Sequence, residues 1–471
     1  MRKTKIICTI GPATKSKETI ISLIEKGMDV ARLNFSHGSE AEHFELINNI
    51  RKAAASLKQN VPIIGDLGGP KVRIGDLLNP VNLGKDEIVI LSYETSPSSD
   101  YKTLRINYDK LHEDVKIGDK ILIDDGLIEL ITINKSGSEI YCKVNVGGLV
   151  RSRKGVNFPD SPLSTPSLTE KDKEDIEFAL KNELDFLALS FVRNSNDIIQ
   201  LRQYLADRKS DIPLIAKIEK PQAIQDIEQI IKSSDAIMIA RGDLGVEMSA
   251  YEVPILQKEI ISKCLSYNVP VITATQMLES MISNPCATRA EVSDVANAVF
   301  DGTDAVMLSG ETSIGSHPVT AVNVMHSILS RAEQTDYIDP IFHHDSSTIT
   351  KTQFAVDLSK AACSIAQDTK AAVIIAMTKS GRTARFLSKY RTKIPILAFT
   401  PHQETITKLK LSWGVETVLL DFSGNTDETL AHAKEYALNN GLIEKEDIIV
   451  FVTGRPISET NEINMIKLEK V

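Results

Sequence analysis

The sequence predicts an α/β protein: a (β/α)8 TIM barrel, interrupted after its third strand by a small antiparallel β-barrel domain and followed by a doubly wound α/β domain. Three patterns predict this fold class. Eight short apolar runs alternate with amphipathic helical stretches from the N-terminus to about residue 333. One stretch among them loses the helical period and alternates at every second residue. The β/α rhythm then restarts after a polar linker.

The eight apolar runs are continuous and rich in β-branched residues, which is typical of strands in a parallel sheet that is covered on both faces. Each run ends at polar residues or at a glycine. The predicted barrel strands are residues 5–10, 30–35, 62–67, 186–192, 213–219, 236–242, 269–276 and 305–311. The predicted helices are residues 17–25, 43–57, 170–181, 195–207, 222–232, 253–266, 290–300 and 318–333.

The insertion is predicted at residues 71–165. Its segments 84–93, 116–124 and 127–146 alternate, and turn residues such as Asp125-Gly126 separate them. This pattern predicts a small antiparallel β domain. It interrupts the barrel without changing its order, so we expect the barrel to comprise residues 1–70 and 166–338.

A polar linker at residues 336–350 precedes a second β/α region. The predicted strands there are residues 371–377, 395–399, 417–420 and 447–452, and the predicted helices are residues 354–366, 382–390 and 426–439. We expect a separate doubly wound α/β domain over residues 345–471.

Composition argues against several classes of function. The chain has 54 basic and 63 acidic residues, a net charge of −9, which disfavours nucleic acid or an acidic membrane surface as the main partner. No apolar run approaches the ~18–20 residues of a membrane span, and the run after the basic start is too short for a secretory signal. Five dispersed cysteines without a Cys-x-x-Cys pair indicate reduced thiols, so we expect a cytoplasmic protein.

Charged side chains gather at the carboxyl ends of the predicted barrel strands, where barrel enzymes carry their active sites. The basic residues are Arg32, Arg73 and Lys217, and the acidic residues are Asp66, Glu219 and Asp243. Glu219 and Asp243 are hard oxygen ligands that suit Mg²⁺ or Mn²⁺. The absence of suitably spaced Cys or His argues against zinc.

Each of these residues also has a purely structural explanation. A basic residue at a strand end can pair with a structural acid, Asp66 can cap a turn, and the glycine-rich residues 66–70 can form a hinge between domains. Six strands that end together in charged or hydroxyl residues are harder to explain by packing alone. The residues by themselves therefore indicate a metal-dependent barrel enzyme with an anionic substrate.

Longer motifs carry a resemblance to a known family. They are Lys-Thr-Lys-Ile-Ile-Cys-Thr-Ile-Gly-Pro-Ala at 3–13, Arg-Leu-Asn-Phe-Ser-His-Gly at 32–38, Ala-Arg-Gly-Asp-Leu-Gly-Val-Glu at 240–247 and Thr-Ala-Thr-Gln-Met-Leu-Glu-Ser-Met at 273–281. In these motifs the chain resembles the pyruvate kinases, from residue 1 to about residue 335 and more loosely beyond it. The resemblance implies phosphoryl transfer from phosphoenolpyruvate to ADP, giving pyruvate and ATP in glycolysis.

The resemblance also implies residue roles. Arg32 would bind the phosphate of phosphoenolpyruvate, and Lys217 would lie beside the transferred phosphoryl group and stabilise the enolate oxygen. Glu219 and Asp243 would bind the essential divalent cation, Mg²⁺ or Mn²⁺. The resemblance further implies that the substrate carboxylate is bound by Gly242, Asp243 and Thr275. The nucleotide would be contacted by Asn34, His37, Arg73 and Lys154. Ser309 and Glu311 would belong to the network near the proton-delivery side.

One segment departs from the family pattern. Many members need K⁺ and have Asp-Thr-Lys-Gly-Pro-Glu where this chain has Asp-Leu-Gly-Gly-Pro-Lys at residues 66–71. Lys71 replaces the glutamate, and Ile74 replaces a threonine. A lysine ammonium can supply the charge that K⁺ otherwise provides, so we predict activity without added K⁺; the alternative is a solvated hinge lysine. The monovalent-cation residues that remain are Asn34, Ser36, Asp66 and Leu67.

A second anion site is predicted in the C-terminal region, where residues 378–383 follow a strand and open a helix. Hydroxyl groups, backbone amides and a helix N-terminus favour phosphate binding there. The segment resembles the sugar-phosphate effector loop of the family, so we hypothesise activation by a sugar phosphate or a monophosphate such as AMP. The alternative is a helix cap with an unused basic patch. The effector residues would be Thr378, Lys379, Ser380, Gly381, Arg382 and Thr383.

Two other functions remain open from the sequence. One is a different metal-dependent barrel enzyme acting on phosphoenolpyruvate or pyruvate, a lyase or a phosphotransferase. Such an enzyme would lack the inserted β domain and the nucleotide residues Arg73 and Lys154. The other is a metabolite-binding regulator that has lost catalysis, which the presence of Lys217, Glu219 and Asp243 disfavours. The family resemblance further implies a homotetramer.

Overall fold

The protein is described by a computed structural model that covers residues 2–93, 101–335, 337–338, 351–422, 424–457 and 462–471. These residues form a closed barrel, an inserted β unit and a C-terminal sheet. The linker predicted at residues 336–350 lies outside the described residues, except for residues 337–338. Within the described part of the chain, no helix is long and apolar enough to cross a membrane.

Eight parallel strands close the barrel in chain order, as predicted. The first strand pairs with the last, with Lys5 opposite Ala305. The strands end one to three residues before the predicted ends, because the chain leaves the sheet there to build the mouth of the barrel. The strands are Lys5–Thr9, Val30–Asn34, Ile63–Asp66, Phe186–Leu189, Leu214–Ile218, Ala236–Ala240, Val271–Ala274 and Ala305–Leu308.

Helices cover the outside of the barrel close to their predicted positions. The helix predicted at residues 222–232 is divided in two at Asp226, whose backbone is not helical (φ −110°, ψ 18°). The Asp226 carboxylate instead accepts a hydrogen bond from the Ser195 amide of the preceding helix at 2.7 Å. The helices are Lys17–Glu25, Glu40–Ser56, Glu170–Lys181, Ser195–Ala206, Pro221–Gln225, Ile227–Ser233, Val253–Tyr267, Arg289–Phe300 and Pro318–Ala332. Shorter helical turns are Pro12–Thr14, Arg241–Glu247, Glu279–Ile282 and Gly310–Ser313.

Within residues 71–93 and 101–165, the insertion forms a six-stranded sheet with a separate two-stranded pair. Its neighbouring strands are antiparallel, except that Ile88–Ser92 and Lys102–Arg105 run parallel. Single bridges from Arg73 to Gly155 and from Ile74 to Ile106 connect the segment after the third barrel strand to both ends of the sheet. The elements are Val81–Leu83, Ile88–Ser92, Lys102–Arg105, Lys120–Ile123, Ile128–Ser136, Glu139–Val146, Gly148–Val150 and Val156–Asn157, with the helix Leu111–Asp114.

The C-terminal sheet has five strands with apolar clusters on both faces, which agrees with the predicted doubly wound α/β fold. Its last strand, Met465–Lys470, runs antiparallel to its neighbour and was not predicted, because none of its six residues is buried and three of them are charged. The helix Gln403–Leu409 was also missed. The sheet order is Val415–Leu419, Ile396–Thr400, Val373–Met377, Ile448–Thr453, Met465–Lys470. The other helices are Lys351–Asp368, Arg382–Ser388 and Thr426–Asn439.

The C-terminal region covers the base of the barrel, opposite the mouth. Leu411 packs into the apolar cluster that fills the barrel interior. Lys5 of the first barrel strand is 1% exposed and donates from Nζ to the Val415 carbonyl at 3.0 Å. Arg391 donates to the Gly302 carbonyl at 2.6 Å, next to the eighth strand. Polar contacts therefore hold the C-terminal region on the barrel around an apolar plug.

Candidate active site

Charged side chains form a buried network at the barrel mouth. Arg32 of the second strand donates from Nε to Oδ2 of Asp66 on the third strand at 2.6 Å, and from Nη1 to Oγ1 of Thr9 at 2.8 Å. Nζ of Lys217 on the fifth strand lies 3.2 Å from Oδ1 of Asp66 and 2.9 Å from Oε1 of Glu219. The closed barrel thus brings together residues that are far apart in the sequence.

Burial and pairing set the charge state of this network. Burial alone would raise the pKa of Asp66, but Arg32 and Lys217 hold that pKa below its ordinary value. Burial alone would lower the pKa of Lys217, but Asp66 and Glu219 raise it to about 12. Lys217 is therefore a fixed positive charge at neutral pH, suited to holding anionic oxygens rather than to releasing a proton.

The end of the fourth strand also joins the network, although its residues were not among those predicted for the site. Ser190 accepts a hydrogen bond from Lys217 Nζ at 2.6 Å and donates to the Leu67 carbonyl at 2.7 Å. The amide of Phe191, whose φ is +55°, donates to Oε2 of Glu219 at 2.7 Å. The only signal in the sequence was a hydroxyl residue at the end of an apolar run.

The two predicted metal ligands lie at adjacent strand ends, and each is paired with a lysine. Lys217 contacts Glu219, and Nζ of Lys71 lies 3.2 Å from Oδ1 of Asp243. Burial raises the pKa of Glu219, Lys217 lowers it in part, and Asp243 raises it again. Two such carboxylates form a charge pattern that a divalent cation would satisfy.

A divalent cation at this position would need oxygen ligands from outside the protein as well. Within the described residues, no group of three or more His, Cys, Asp and Glu is arranged to hold a metal ion. Substrate oxygens and water would complete the shell, which is the usual arrangement for Mg²⁺ at a phosphoryl-transfer site. The donor set therefore fits a hard cation that binds together with a phosphate-bearing substrate.

Gly242 and Thr275, predicted to bind the substrate carboxylate, lie together between the sixth and seventh strands. The Gly242 amide donates to Oγ1 of Thr275 at 2.8 Å. Thr275 and Gln276 both have left-handed backbone angles, φ +66° and +54°. Arg241 donates to their carbonyls at 2.9 and 3.2 Å. Arg241 thus holds a strained turn in place, a role that its position in the sequence did not reveal.

Ser309 and Glu311 follow the eighth strand. The Glu311 carboxylate is buried and accepts hydrogen bonds from the backbone amides of Ser309 at 2.7 Å and Leu278 at 3.0 Å. Oγ of Ser309 is buried and has no hydrogen-bond partner within the described part of the chain. Glu311 thus shapes the loop that carries Ser309.

The predicted nucleotide residues are brought together in part. Burial, Arg73, Arg32 and Lys71 lower the pKa of His37, so His37 is neutral at pH 7 in a cationic surrounding. Oδ1 of Asn34 accepts a hydrogen bond from the Ser36 amide at 3.1 Å. Lys154 instead pairs with Asp124 in the insertion, at 2.7 Å.

The predicted monovalent-cation residues surround the turn after the third strand. Oγ of Ser36 lies next to Gly68, where an added Cβ would come within 3.1 Å of it. The Leu67 carbonyl already accepts a hydrogen bond from Ser190. Lys71 reaches Asp243 and lies 5.9 Å from the centre of the Phe191 ring.

The predicted effector loop lies at the carboxyl edge of the C-terminal sheet. Gly381 precedes the helix Arg382–Ser388 with φ +81°, and an added Cβ would come within 3.0 Å of Leu409, so glycine is required there. The loop lines an open cavity. Thr453 and Gly454, which follow the neighbouring strand Ile448–Thr453 to its end, line the same cavity.

Comparison with known proteins agrees with this architecture over nearly the whole chain. The family model for the pyruvate kinase barrel domain matches residues 1–322, and that for the pyruvate kinase alpha/beta domain matches residues 357–469. A solved structure of a pyruvate kinase from Cryptosporidium parvum superposes with a TM-score of 0.92 at 38% identity, covering 100% of this chain and 96% of that one.

Curated relatives match over the whole of this chain. Pyruvate kinase 2 of Synechocystis sp. is 44% identical over 476 residues, covering 100% of this chain and 79% of the relative. Pyruvate kinase of Staphylococcus aureus strain MRSA252 is 44% identical over 475 residues, covering 100% of this chain and 81% of the relative. A barrel with a phosphoryl-transfer mouth, an inserted β unit and a C-terminal α/β unit defines a class of metal-dependent phosphotransferases. Within that class, the chain belongs to the pyruvate kinase family.

Proposed function

We propose that this enzyme binds phosphoenolpyruvate in the barrel mouth, with its phosphate against Arg32 and Lys217 and its carboxylate against Gly242, Asp243 and Thr275. The buried Arg32–Asp66–Lys217–Glu219 network carries the proposal, because it holds two fixed cations in a water-poor site where charge develops on oxygen. The P–O bond to the enol oxygen breaks as a bond forms to a terminal oxygen of ADP, and Lys217 stabilises the enolate until its carbon is protonated.

Glu219 and Asp243 would hold the divalent cation, Mg²⁺ or Mn²⁺. When bound, it would supply positive charge to the phosphate oxygens. Each of the two carboxylates contacts a lysine ammonium. These contacts support the assignment, because the ammonium groups balance the negative charge that a bound divalent cation would balance. Asn34, His37, Arg73 and Lys154 would contact the nucleotide. Lys154 is paired with Asp124 on the insertion, so it would have to leave or share that pair to contact a nucleotide.

We further propose that the enzyme works without added K⁺. Lys71 supports this, because its ammonium lies in the mouth, 3.2 Å from Asp243, and adds a fixed positive charge beside the substrate site. The test is an assay in sodium buffer with K⁺ added back. Activity that rises less than about twofold agrees with the proposal, and a rise of tenfold or more contradicts it. Lys71→Glu, the residue that many relatives carry here, is expected to create a K⁺ requirement.

Activation by a phosphorylated metabolite is proposed for the loop of residues 378–383. The open cavity beside it is lined by the hydroxyl residues Thr378, Ser380 and Thr453, which supports the proposal. The test is a screen of sugar phosphates and AMP at sub-saturating phosphoenolpyruvate. An activator is expected to lower the half-saturating concentration, and Ser380→Ala to weaken that effect. If no compound shifts the half-saturation, the loop is a helix cap only. The enzyme is further proposed to be a cytoplasmic homotetramer. Light scattering would measure the mass of the assembly in solution and so test the tetramer.

Lys217→Met tests the proposed chemistry most directly. It removes the cation nearest the enolate oxygen, and we expect kcat to fall by about 10²–10⁴-fold with the fold retained. The readout is pyruvate and ATP formation from phosphoenolpyruvate and ADP. Lys263→Met is the matched control, since Lys263 is a surface residue that pairs with Glu228. Formation of pyruvate without ATP would favour a different barrel enzyme, and no turnover by the wild type would favour a regulator.

A further inference from the structure

Glu247 carries a buried carboxylate one helical turn beyond the proposed metal ligand Asp243. It is the last residue of the short helix Arg241–Glu247, and its side chain is 1% exposed. The position is unfavourable for an acid in two ways. Burial removes water from the charge, and the C-terminal end of a helix already carries partial negative charge. A carboxylate at such a position needs specific partners.

Two donors from different parts of the fold meet this carboxylate. Nζ of Lys220, two residues after the fifth barrel strand, donates to Oε1 of Glu247. Nδ2 of Asn157, in the last strand of the insertion, donates to the same oxygen at 2.7 Å. The Glu247 carboxylate therefore joins three segments: the helix after the sixth strand, the turn after the fifth strand and the returning strand of the insertion.

The ion pair of Lys220 and Glu247 lies beside both proposed metal ligands. Lys220 directly follows Glu219 in the chain. Asp243 lies four residues before Glu247 in the same helix, so the two acids share one side of that helix. The contact between Lys220 and Glu247 therefore holds the turn that carries Glu219 against the helix that carries Asp243. The separation of the two ligand carboxylates depends on how these two segments are held.

The Phe191 ring lies next to this contact. Its centre is 5.7 Å from Nζ of Lys220 and 5.9 Å from Nζ of Lys71, the lysine that pairs with Asp243. Ammonium groups near an aromatic face gain a weak attraction. The Phe191 amide also donates to Oε2 of Glu219 at 2.7 Å. Phe191 thus connects both lysines with one metal ligand, so the ion pairs at Asp243 and Glu247 belong to one arrangement.

We propose that Lys220 and Glu247 are a positioning pair that sets the spacing of Glu219 and Asp243 for the divalent cation. The inference rests on the proposed function, in which these two carboxylates hold Mg²⁺ or Mn²⁺. Groups that orient metal ligands without touching the ion change metal affinity by about 10–100-fold when they are removed. Mg²⁺ also demands near-ideal octahedral geometry, so its binding is sensitive to the spacing of its carboxylates. The pair therefore acts through the two ligands.

The test is Mn²⁺ binding to the full chain, measured by electron paramagnetic resonance without substrate, so that water completes the metal shell. We expect Lys220→Met and Glu247→Gln each to raise the Kd by about tenfold, and Lys220→Arg to keep most of the affinity. Because both substitutions remove the same contact, the double variant should bind about as tightly as each single one. Lys143→Met, which removes an exposed pair with Asp86, is the control and should keep the wild-type Kd.

Thermal unfolding separates this role from a purely structural one. A lower Tm with an unchanged Mn²⁺ Kd would overturn the proposal, as would a loss of about a hundredfold in the double variant, the product of two independent effects. If Glu247→Gln does not fold, Lys220→Met alone gives the result, since the Lys220 side chain is 17% exposed.

Asp243→Asn distinguishes this inference from the proposed function on which it rests. If that variant keeps the wild-type Kd for Mn²⁺, the metal assignment itself is wrong and the positioning role falls with it. If Asp243→Asn loses Mn²⁺ binding while Lys220→Met keeps it, the metal assignment stands and only the positioning role is wrong. Loss of affinity in both variants, with the Lys143→Met control unchanged, is the expected result.

Discussion

At the scale of single residues, Asp66 is the centre of the active-site network. Its carboxylate contacts both Arg32 and Lys217, and its side chain is 1% exposed. A buried carboxylate between two cations keeps both of them in place and lowers the cost of having two positive charges side by side. Asp66 thus positions the groups proposed to bind phosphate, and it does so through two separate oxygens.

The pairing of Asp66 predicts a specific pH dependence of stability. Its pKa is lowered in the folded protein, so its contribution to stability is complete above the ordinary value of 3.8 and is lost as the pH falls through the folded value. We expect Asp66→Asn to lower the free energy of unfolding by about 3–5 kcal/mol at pH 7. That difference should shrink at pH 3, as measured by urea unfolding. Asp211→Asn, at an exposed position, is the control. A difference that does not change with pH would contradict this account.

At the scale of elements, the turn after the seventh barrel strand is a strained part of the site. Two consecutive residues without glycine, Thr275 and Gln276, have left-handed backbone angles. Arg241 compensates by donating to both of their carbonyls while it pairs with Asp294 at 2.7 Å. Strain of about 1–3 kcal/mol per residue persists only where the surroundings hold it. Arg241 is therefore a positioning residue for Thr275.

Arg241→Met should relax this turn and displace the Thr275 hydroxyl from the Gly242 amide. Since a displacement of ~1 Å can cost about a hundredfold in rate, we expect kcat/KM for phosphoenolpyruvate to fall by about 10–100-fold. Arg241→Lys should not restore kcat/KM, because lysine lacks the planar guanidinium group whose N–H groups reach two carbonyls. Arg202→Met, which removes a surface pair with Asp235, is the control. Unchanged kinetics with a folded variant would show that the turn keeps its shape without Arg241.

At the scale of the whole molecule, stability depends on how the C-terminal region is held on the base of the barrel. Arg391 is one of the polar links there. It donates to the Gly302 carbonyl, pairs with Asp304 and also donates to the Ser388 carbonyl at 2.8 Å. One side chain thus connects both regions within a buried surface, and removing it would leave Asp304 without its cation.

We expect Arg391→Met to lower the free energy of unfolding by about 3–5 kcal/mol, because a buried carboxylate loses its partner. Urea unfolding would measure the change. Arg455→Met should change it by less than about 1 kcal/mol, since Arg455 and Asp427 form an exposed pair at 3.6 Å. Equal effects of the two substitutions would mean that the contact between the regions depends on apolar packing alone.

The sequence by itself determined the elements and the kinds of residue at their ends. Apolar runs of β-branched residues predict strands because a strand buried on both faces needs apolar side chains at every position. The same runs end in Arg32, Asp66, Lys217, Glu219 and Asp243, so a charged barrel mouth could be predicted. The strand Met465–Lys470 could not, because pairing at the edge of a sheet requires no apolar pattern.

The tertiary structure alone decided which of these groups pair. Chain position does not show that Lys71 lies against Asp243, that Ser190 and Phe191 hold Lys217 and Glu219, or that Arg385 and Arg391 line one cavity. Each of these contacts joins segments that are distant in the sequence, and their distances follow from barrel closure and from the docking of the C-terminal region. Local patterns report the burial of a residue, whereas pairing depends on distances that only the complete fold sets.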